Sequence, residues 1–268
     1  MTLDSADTLP EPVTELVLRA YGRIVSFTAT PEAIEAVLDR LPPTYRVASG
    51  TPERRWSIRP MEDSNWEVLA DDGVISVRLD MIGAVEGTLS NLELWVAEHA
   101  KRNVFIHAGC VSVNGKAIVL PGRSMSGKSS LTAALVRAGA DYYSDEYAVL
   151  DARGLVRPYA RMLAVRPHGG GASLDRIRAE DLGGRIGRGV SQVALVAVLQ
   201  FTETGWDVRP LTRGQTMLRM LDNTVAARSR PRAALGALES ATSDAIMMTG
   251  ERGEADEAAD LLLRMLPS

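Results

Sequence analysis

The chain has 268 residues and a formal net charge of −4, with 34 acidic and 30 basic side chains intermixed. That length allows one α/β domain of roughly 170–180 residues with a smaller companion, and the mixed charge excludes the clustered Lys/Arg footprint of a nucleic-acid binder. The one cysteine, Cys110, excludes an intrachain disulfide and a cysteine metal cage; this fits a reducing cytoplasm, and neither a signal-peptide pattern nor an uncharged run of membrane-spanning length is present.

Residues 1–13 are expected to be a flexible N-terminus, and 14–85 a small α+β unit. Leu16–Thr28 reads as a strand with Gly22 inside it. Thr30-Pro31 then opens a helix, Thr as N-cap and Pro in the first turn. Ile34, Val37, Leu38 and Leu41 follow at helical spacing until Pro42-Pro43 stops it. Trp56 and Ile58 alternate with polar residues. Trp66–Ala70, an Asp71-Asp72-Gly73 turn and Val74–Leu79 predict a β-hairpin. Leu89, Leu92, Val96 and Ala100 mark an amphipathic helix leading into a main domain over 86–268.

In that domain Val104–Val113 and Lys116–Leu120 are predicted strands joined by a tight Asn114-Gly115 turn. A helix runs from about Lys128 to Arg137 and ends at Gly139. Tyr142-Tyr143-Ser144 is a short strand, followed by a Tyr147–Leu150/Leu155–Tyr159 hairpin. Residues 166–189 are glycine-rich around a short helix expected near Ser173–Asp181; with Arg176, Arg178, Arg185 and Arg188 they form the natural lid or substrate loop, or else a plain solvated loop. Gln192–Phe201 is almost wholly apolar, as a strand buried on both faces is. Amphipathic stretches at Gly214–Leu221 and Arg232–Leu238, a strand at Ala245–Met248 and a helix at Glu254–Leu266 complete the chain.

The chemistry concentrates between Ile118 and Glu146. Gly122, four residues, then Gly127-Lys128-Ser129 is the Walker A phosphate-loop pattern, placed between an apolar strand and a helix. Its backbone N–H groups turn inward around phosphate oxygens, Lys128 reaches the β- and γ-phosphates, and the Ser129 hydroxyl can bind Mg²⁺. The helix N-terminus adds a favourable field for anions. Arg123, Ser124, Met125, Ser126 and Ser130 complete the expected nucleotide-binding set.

Asp145-Glu146 follows one short helix later. A right-handed crossover is expected to bring its strand back beside the one feeding the loop, placing both carboxylates at the loop's mouth. One carboxylate there can bind Mg²⁺ and the other can take a proton from an attacking hydroxyl. His107 and Cys110 lie three apart on one strand and so face opposite sides, which argues against a Cys–His dyad. Cys110 reads as a small core residue. His99 and His168 have no metal-ligand spacing, and no protein-only metal site is expected.

The ordered set Phe105-Ile-His107-Ala-Gly-Cys-Val, Gly122-Arg-Ser-Met-Ser-Gly-Lys-Ser-Ser130 and Tyr-Tyr-Ser-Asp145-Glu146 resembles the HPr kinase/phosphorylase family. It is closer still to the HPr-kinase-like proteins of bacterial peptide-modification systems, lasso-peptide kinases among them. The similarity covers about residues 90–160 and fades toward the C-terminus, where Leu221-Asp-Asn-Thr224 has its expected place. The resemblance implies an α/β P-loop kinase fold related to phosphoenolpyruvate carboxykinase, and ATP-dependent phosphorylation of a serine hydroxyl. Carried over by position, Asp145 is the base, Glu146 assists with Mg²⁺, His107 sits near the reaction centre, and Gly122–Ser130 hold the triphosphate.

The sequence departs from the family at four places. Met125 stands where family loops carry the middle glycine, and Glu146 replaces the second Asp. The Arg-Gly-Leu-Gly signature of true HPr kinases is missing, with Ala164-Val-Arg166-Pro-His-Gly-Gly-Gly171 in its region; Arg166 is the candidate for stabilising the transferring phosphate, or for a structural salt bridge. The first 80 or so residues do not resemble the family's N-terminal domain.

The expected function is therefore an ATP- and Mg²⁺-dependent kinase acting on a serine (or threonine) of a peptide or small protein, in the cytoplasm, without nucleic acid or membrane as partner. A homo-oligomer is an open option. The alternatives are a small-molecule hydroxyl kinase and a nucleotide-binding regulatory protein without turnover.

Overall fold

A computed structural model of the chain describes residues 13–62, 64–78, 80–122, 126–165, 175–203 and 205–267. The expected loose segment 1–13 thus lies almost wholly outside the described residues, as do Arg123, Ser124, Met125, Arg166 and His168. The chain divides into two compact units, Met1–Leu41 with Tyr45–Glu93, and Pro42–Thr44 with Leu94–Ser268.

In the first unit β1 (Thr14–Ala20), β2 (Arg23–Ala29), α1 (Pro31–Arg40), β3 (Arg46–Val47), β4 (Arg54–Pro60), β5 (Trp66–Ala70) and β6 (Gly73–Arg78) build a six-stranded sheet of order β3-β1-β2-β4-β5-β6. The single strand expected over Leu16–Thr28 is instead a hairpin. Tyr21 (φ 48) and Gly22 (φ 81) both take left-handed backbone, and Ala20 pairs with Arg23 across them. The apolar runs Leu16–Leu18 and Ile24–Val25 on either side hid the turn, because Tyr is not a turn residue. The helix start follows the sequence: Thr30 Oγ1 accepts the Ala33 N–H, and Ile34 and Val37 are buried. Phe27 stacks on Trp56 at 5.5 Å, and the Trp56 indole donates to Asn91 on α2 (Met81–His99). Both the expected boundary, between 85 and 86, and the division between Glu93 and Leu94 fall inside α2.

The second unit is a mixed α/β structure. Its elements are β7 (Val104–Val113), β8 (Lys116–Pro121), α3 (Lys128–Arg137), β9 (Asp141–Ser144), β10 (Tyr147–Leu150), β11 (Leu155–Arg157), β12 (Leu163–Val165), β13 (Asp175–Ile177), β14 (Arg185–Ile186), β15 (Ser191–Phe201), β16 (Asp207–Pro210), α4 (Arg213–Leu221), α5 (Pro231–Ala241), β17 (Ile246–Arg252) and α6 (Ala255–Arg264). The main sheet has helices on both faces. Val111, Ile118 and Leu120 pack with Leu131 and Leu135 of α3 and Leu262 of α6, while Ile106, Cys110 and Val119 pack with Met220 of α4 and Leu238 of α5. Cys110 is thus a core residue, and burial pushes its thiol pKa up.

The strand order corrects one expectation. β9 does not lie beside β8; β7 runs between them, antiparallel to both. The Asn114-Gly115 hairpin makes this possible by folding β7 back against β8 before the phosphate-loop segment begins. β8 and β9 still point the same way. β15 runs parallel to β8 and to β17, so the C-terminal ends of β8, β15 and β17 share an edge. The last strand runs on past Met248 to Arg252 because β16, which no sequence pattern announced, pairs with it. The helix expected near Ser173–Asp181 is also corrected. Ser173 and Leu174 lie outside the described residues, Asp175–Ile177 pair with β12, and only Ala179–Leu182 are helical, as a single 3-10 turn.

Candidate active site

β8 ends at Pro121 and delivers Gly122; α3 begins at Lys128 with Gly127 as its N-cap. Gly127 has φ 83 and ψ 17, a left-handed conformation that the chain needs to turn from the loop into the helix axis. Its carbonyl accepts the Leu131 N–H at 3.0 Å, so the first helical hydrogen bond starts here. The Lys128 Nζ donates to the Gly122 carbonyl at 2.7 Å. Ser126 is buried with its Oγ unpartnered, Ser129 is half-buried and Ser130 exposed. The first turn of α3 therefore carries one lysine and two hydroxyls at a helix N-terminus.

The acidic pair is set by Ser144. Its Oγ accepts the N–H groups of Glu146 and Tyr147, at 3.1 and 3.0 Å, which bends the chain between β9 and β10. The two carboxylates then have different surroundings. Asp145 is 1% exposed. Its Oδ1 accepts the Tyr142 hydroxyl and its Oδ2 the Ala164 N–H, each at 3.0 Å. Burial, followed by the Asp145 charge, lifts the Tyr142 pKa well above normal and keeps that hydroxyl a donor.

Glu146 is the accessible member, with 32% of its side chain exposed and Oε1 2.8 Å from His107 Nε2. Burial raises its pKa, but the His107 hydrogen bond and the charges of Arg161 and Lys128 outweigh that and hold the carboxyl below the usual glutamate range. An ionised carboxylate only accepts, so the proton in this contact belongs to His107 Nε2. Burial also pulls the Lys128 pKa down, opposed by the charges of Glu146 and then Asp145.

His107 joins the pieces. Its residue pairs with Tyr147 across β7 and β10, Ala108 donates to the Glu146 carbonyl at 3.0 Å, and the His107 carbonyl lies 3.5 Å from the Gly122 N–H. On the same stretch the His107 N–H donates to Asn223, and Thr224 bridges Ile106, so the Leu221–Thr224 segment lines the strand that carries the histidine. The loop's first glycine, its lysine, the histidine and the exposed carboxylate are thus linked residue to residue. His99 is elsewhere, stacked on Trp95 at 4.6 Å.

Two arginines went unsuspected in the sequence. Arg161, between β11 and β12, lends positive field to Glu146 and Tyr142. Arg252, at the end of β17, donates to the Gly127 carbonyl. Neither stands in a motif; only the meeting of distant segments reveals them. A scan against protein-family models and a search of curated proteins returned no match.

Proposed function

We propose that the second unit is a P-loop kinase domain of the HPr-kinase-like kind, which transfers the γ-phosphate of ATP to a serine or threonine hydroxyl of a peptide or small protein. The observation that carries this reading is the chain of contacts Lys128–Gly122–His107–Glu146, which sets the loop's cation beside an ionised, solvent-open carboxylate. A carboxylate so placed can take the proton of an attacking hydroxyl, the step that a kinase needs.

The triphosphate lies along Gly122–Ser130, on loop and helix N–H groups, with Lys128 on its outer phosphates. Arg123, Ser124, Met125 and Arg166, the other residues expected at the phosphates, lie outside the described residues. The acceptor oxygen attacks the γ-phosphorus in line; the bond to the β,γ-bridging oxygen breaks, ADP leaves, and a phosphate ester forms. The base is the point at which this reading parts from the resemblance. Asp145 has both oxygens occupied by Tyr142 and Ala164. Glu146 opens to solvent, so it takes the hydroxyl proton, oriented by His107.

Among the described residues no three His, Cys, Asp or Glu side chains gather into a metal cage. Mg²⁺ suits such a site because it keeps much of its water and binds chiefly through phosphate oxygens; the Ser129 hydroxyl, rather than Glu146, would be its protein donor. Bound there, it would neutralise charge on the phosphates during transfer.

The test offers labelled ATP with pools of serine- or threonine-containing peptides and, separately, with hydroxyl-bearing metabolites. Label on a peptide hydroxyl supports the reading. Label on a metabolite alone replaces the substrate class, and an absence of nucleotide binding removes the reading altogether.

A further inference from the structure

Arg252 is 2% exposed; among the described residues its side chain donates to backbone carbonyls, and the charge of Glu254 supports it from a distance. Nη1 donates to Gly253 at 2.7 Å and Nη2 to Gly127 at 2.9 Å, while the guanidinium lies 5.2 Å from the centre of the Phe201 ring. A small cavity behind the loop is lined by Ser126, Gly127, Lys128, Leu199 and Arg252. Two buried polar atoms, Arg252 Nε and Ser126 Oγ, have no partner. The hydrogen bonds of Arg252 go to neutral carbonyls, its Nε has no partner, and burial pulls its pKa down against the charge of Glu254, so a further anion close by would be favoured. Nη2 ties the guanidinium to Gly127, so the N-terminus of α3 beside it is where an anion would settle.

The geometry of the peptide group says how the two connect. In a trans peptide the C=O and N–H point in opposite directions. The Gly127 carbonyl is held on one side by Leu131 N–H and Arg252 Nη2, at 3.0 and 2.9 Å. The Lys128 N–H is thereby aimed out of the N-terminus of α3, the direction from which a phosphate is bound. The packing is tight: a Cβ on Gly127 would sit 2.3 Å from Arg252 Nη2.

We propose that Arg252 is a positioning residue for the polyphosphate. It fixes the Gly127–Lys128 peptide with its N–H toward a phosphate, and it supplies an immobile positive charge behind the loop. This rests on reading Gly122–Ser130 as the nucleotide site, and it adds an element from the far end of the chain that no phosphate-loop pattern includes.

Wild type, Arg252→Met and Arg252→Lys are titrated calorimetrically with ATP, with inorganic pyrophosphate and with adenosine, and melted without ligand. Arg252→Met is expected to weaken ATP and pyrophosphate by the same factor, about tenfold or more, the scale of a charge-assisted hydrogen bond. Stoichiometry stays near one per chain, adenosine is unaffected, and Arg252→Lys recovers part of the loss. A purely structural role would instead lower the bound fraction and the melting temperature, with the Kd of the remaining sites unchanged. If the Met variant does not fold, Arg252→Lys carries the test through an intermediate loss at full stoichiometry. Wild-type affinity for pyrophosphate in either folded variant overturns the proposal. A wild type that binds neither ATP nor pyrophosphate is a different failure, that of the nucleotide site itself.

Discussion

His107 and Glu146 lie on opposite sides of the phosphate-loop helix in sequence, yet meet at 2.8 Å between Nε2 and Oε1. Backbone pairing fixes the meeting: Tyr147 is the register partner of His107, and Ala108 donates to the Glu146 carbonyl. A histidine held this way cannot easily swing off, so the carboxylate is oriented before any substrate arrives.

Glu146→Gln should therefore abolish transfer while sparing nucleotide binding. A fall in kcat of about a hundredfold or more is expected for loss of a general base, with the Kd for ATP within about threefold of wild type. Rapid-quench kinetics and calorimetry on the same preparation decide it.

Asp145→Asn should behave oppositely. The carboxylate serves two donors, Tyr142 O–H and Ala164 N–H. An amide places its own N–H₂ against one of them, at a cost of about 1–3 kcal/mol in stability. Activity per folded molecule should fall less than about tenfold, since the proton goes to Glu146. Denaturant melts with activity normalised to folded protein separate the two carboxylates; collapse of activity in a fully folded Asp145→Asn returns the base to Asp145.

Lys128→Met should remove ATP binding without loosening the fold. The Lys128 pKa is lowered, chiefly by burial, so the folded state releases its proton before the unfolded chain does. Between the two pKa values the unfolded chain holds more protons, and stability rises with pH across that alkaline window. Glu146 gives the same slope, but in the acid range. Its folded pKa lies below the normal value, so its contribution is present above the usual glutamate range and is lost as acid protonates it. Tyr142 and Cys110, whose pKa values are raised, cost stability over the same alkaline range in both proteins, so nucleotide-free melts across pH should show a smaller alkaline loss in wild type than in Lys128→Met.

Gly127→Ala should fail structurally. Alanine at φ 83 is strained, and its Cβ would meet Arg252 Nη2 at 2.3 Å. Strain of this kind costs about 1–3 kcal/mol before any clash, and ATP binding should disappear with it. A melting temperature and ATP affinity equal to wild type would show that the loop does not need this geometry.

Much of the architecture is legible where one physical cause dominates. Thr30-Pro31 caps α1, Asn114-Gly115 turns β7 into β8, Gly139 ends α3 through its contact with Val136, and the apolar run in β15 lies between two parallel partners. What stayed hidden depends on other parts of the chain. The Tyr21-Gly22 turn looks like strand because both flanks are apolar. The insertion of β7 between β8 and β9 is a fact of pairing, not of pattern. Asp145 and Glu146 are adjacent and chemically alike, and only Tyr142 and Ala164 show which one is closed in. Arg252 owes its place under the loop to the register of β17 on β15.

The central claim is phosphoryl transfer to a hydroxyl with Glu146 as base. ATP carrying heavy oxygen in its γ-phosphate is incubated with a cell extract and either wild type or Glu146→Gln, and peptides and small proteins are read by mass spectrometry. The expected result is heavy phosphate on a serine or threonine of a defined carrier with wild type, and none with the variant. Heavy phosphate appearing only as free phosphate, at equal rates for both proteins, would contradict the account.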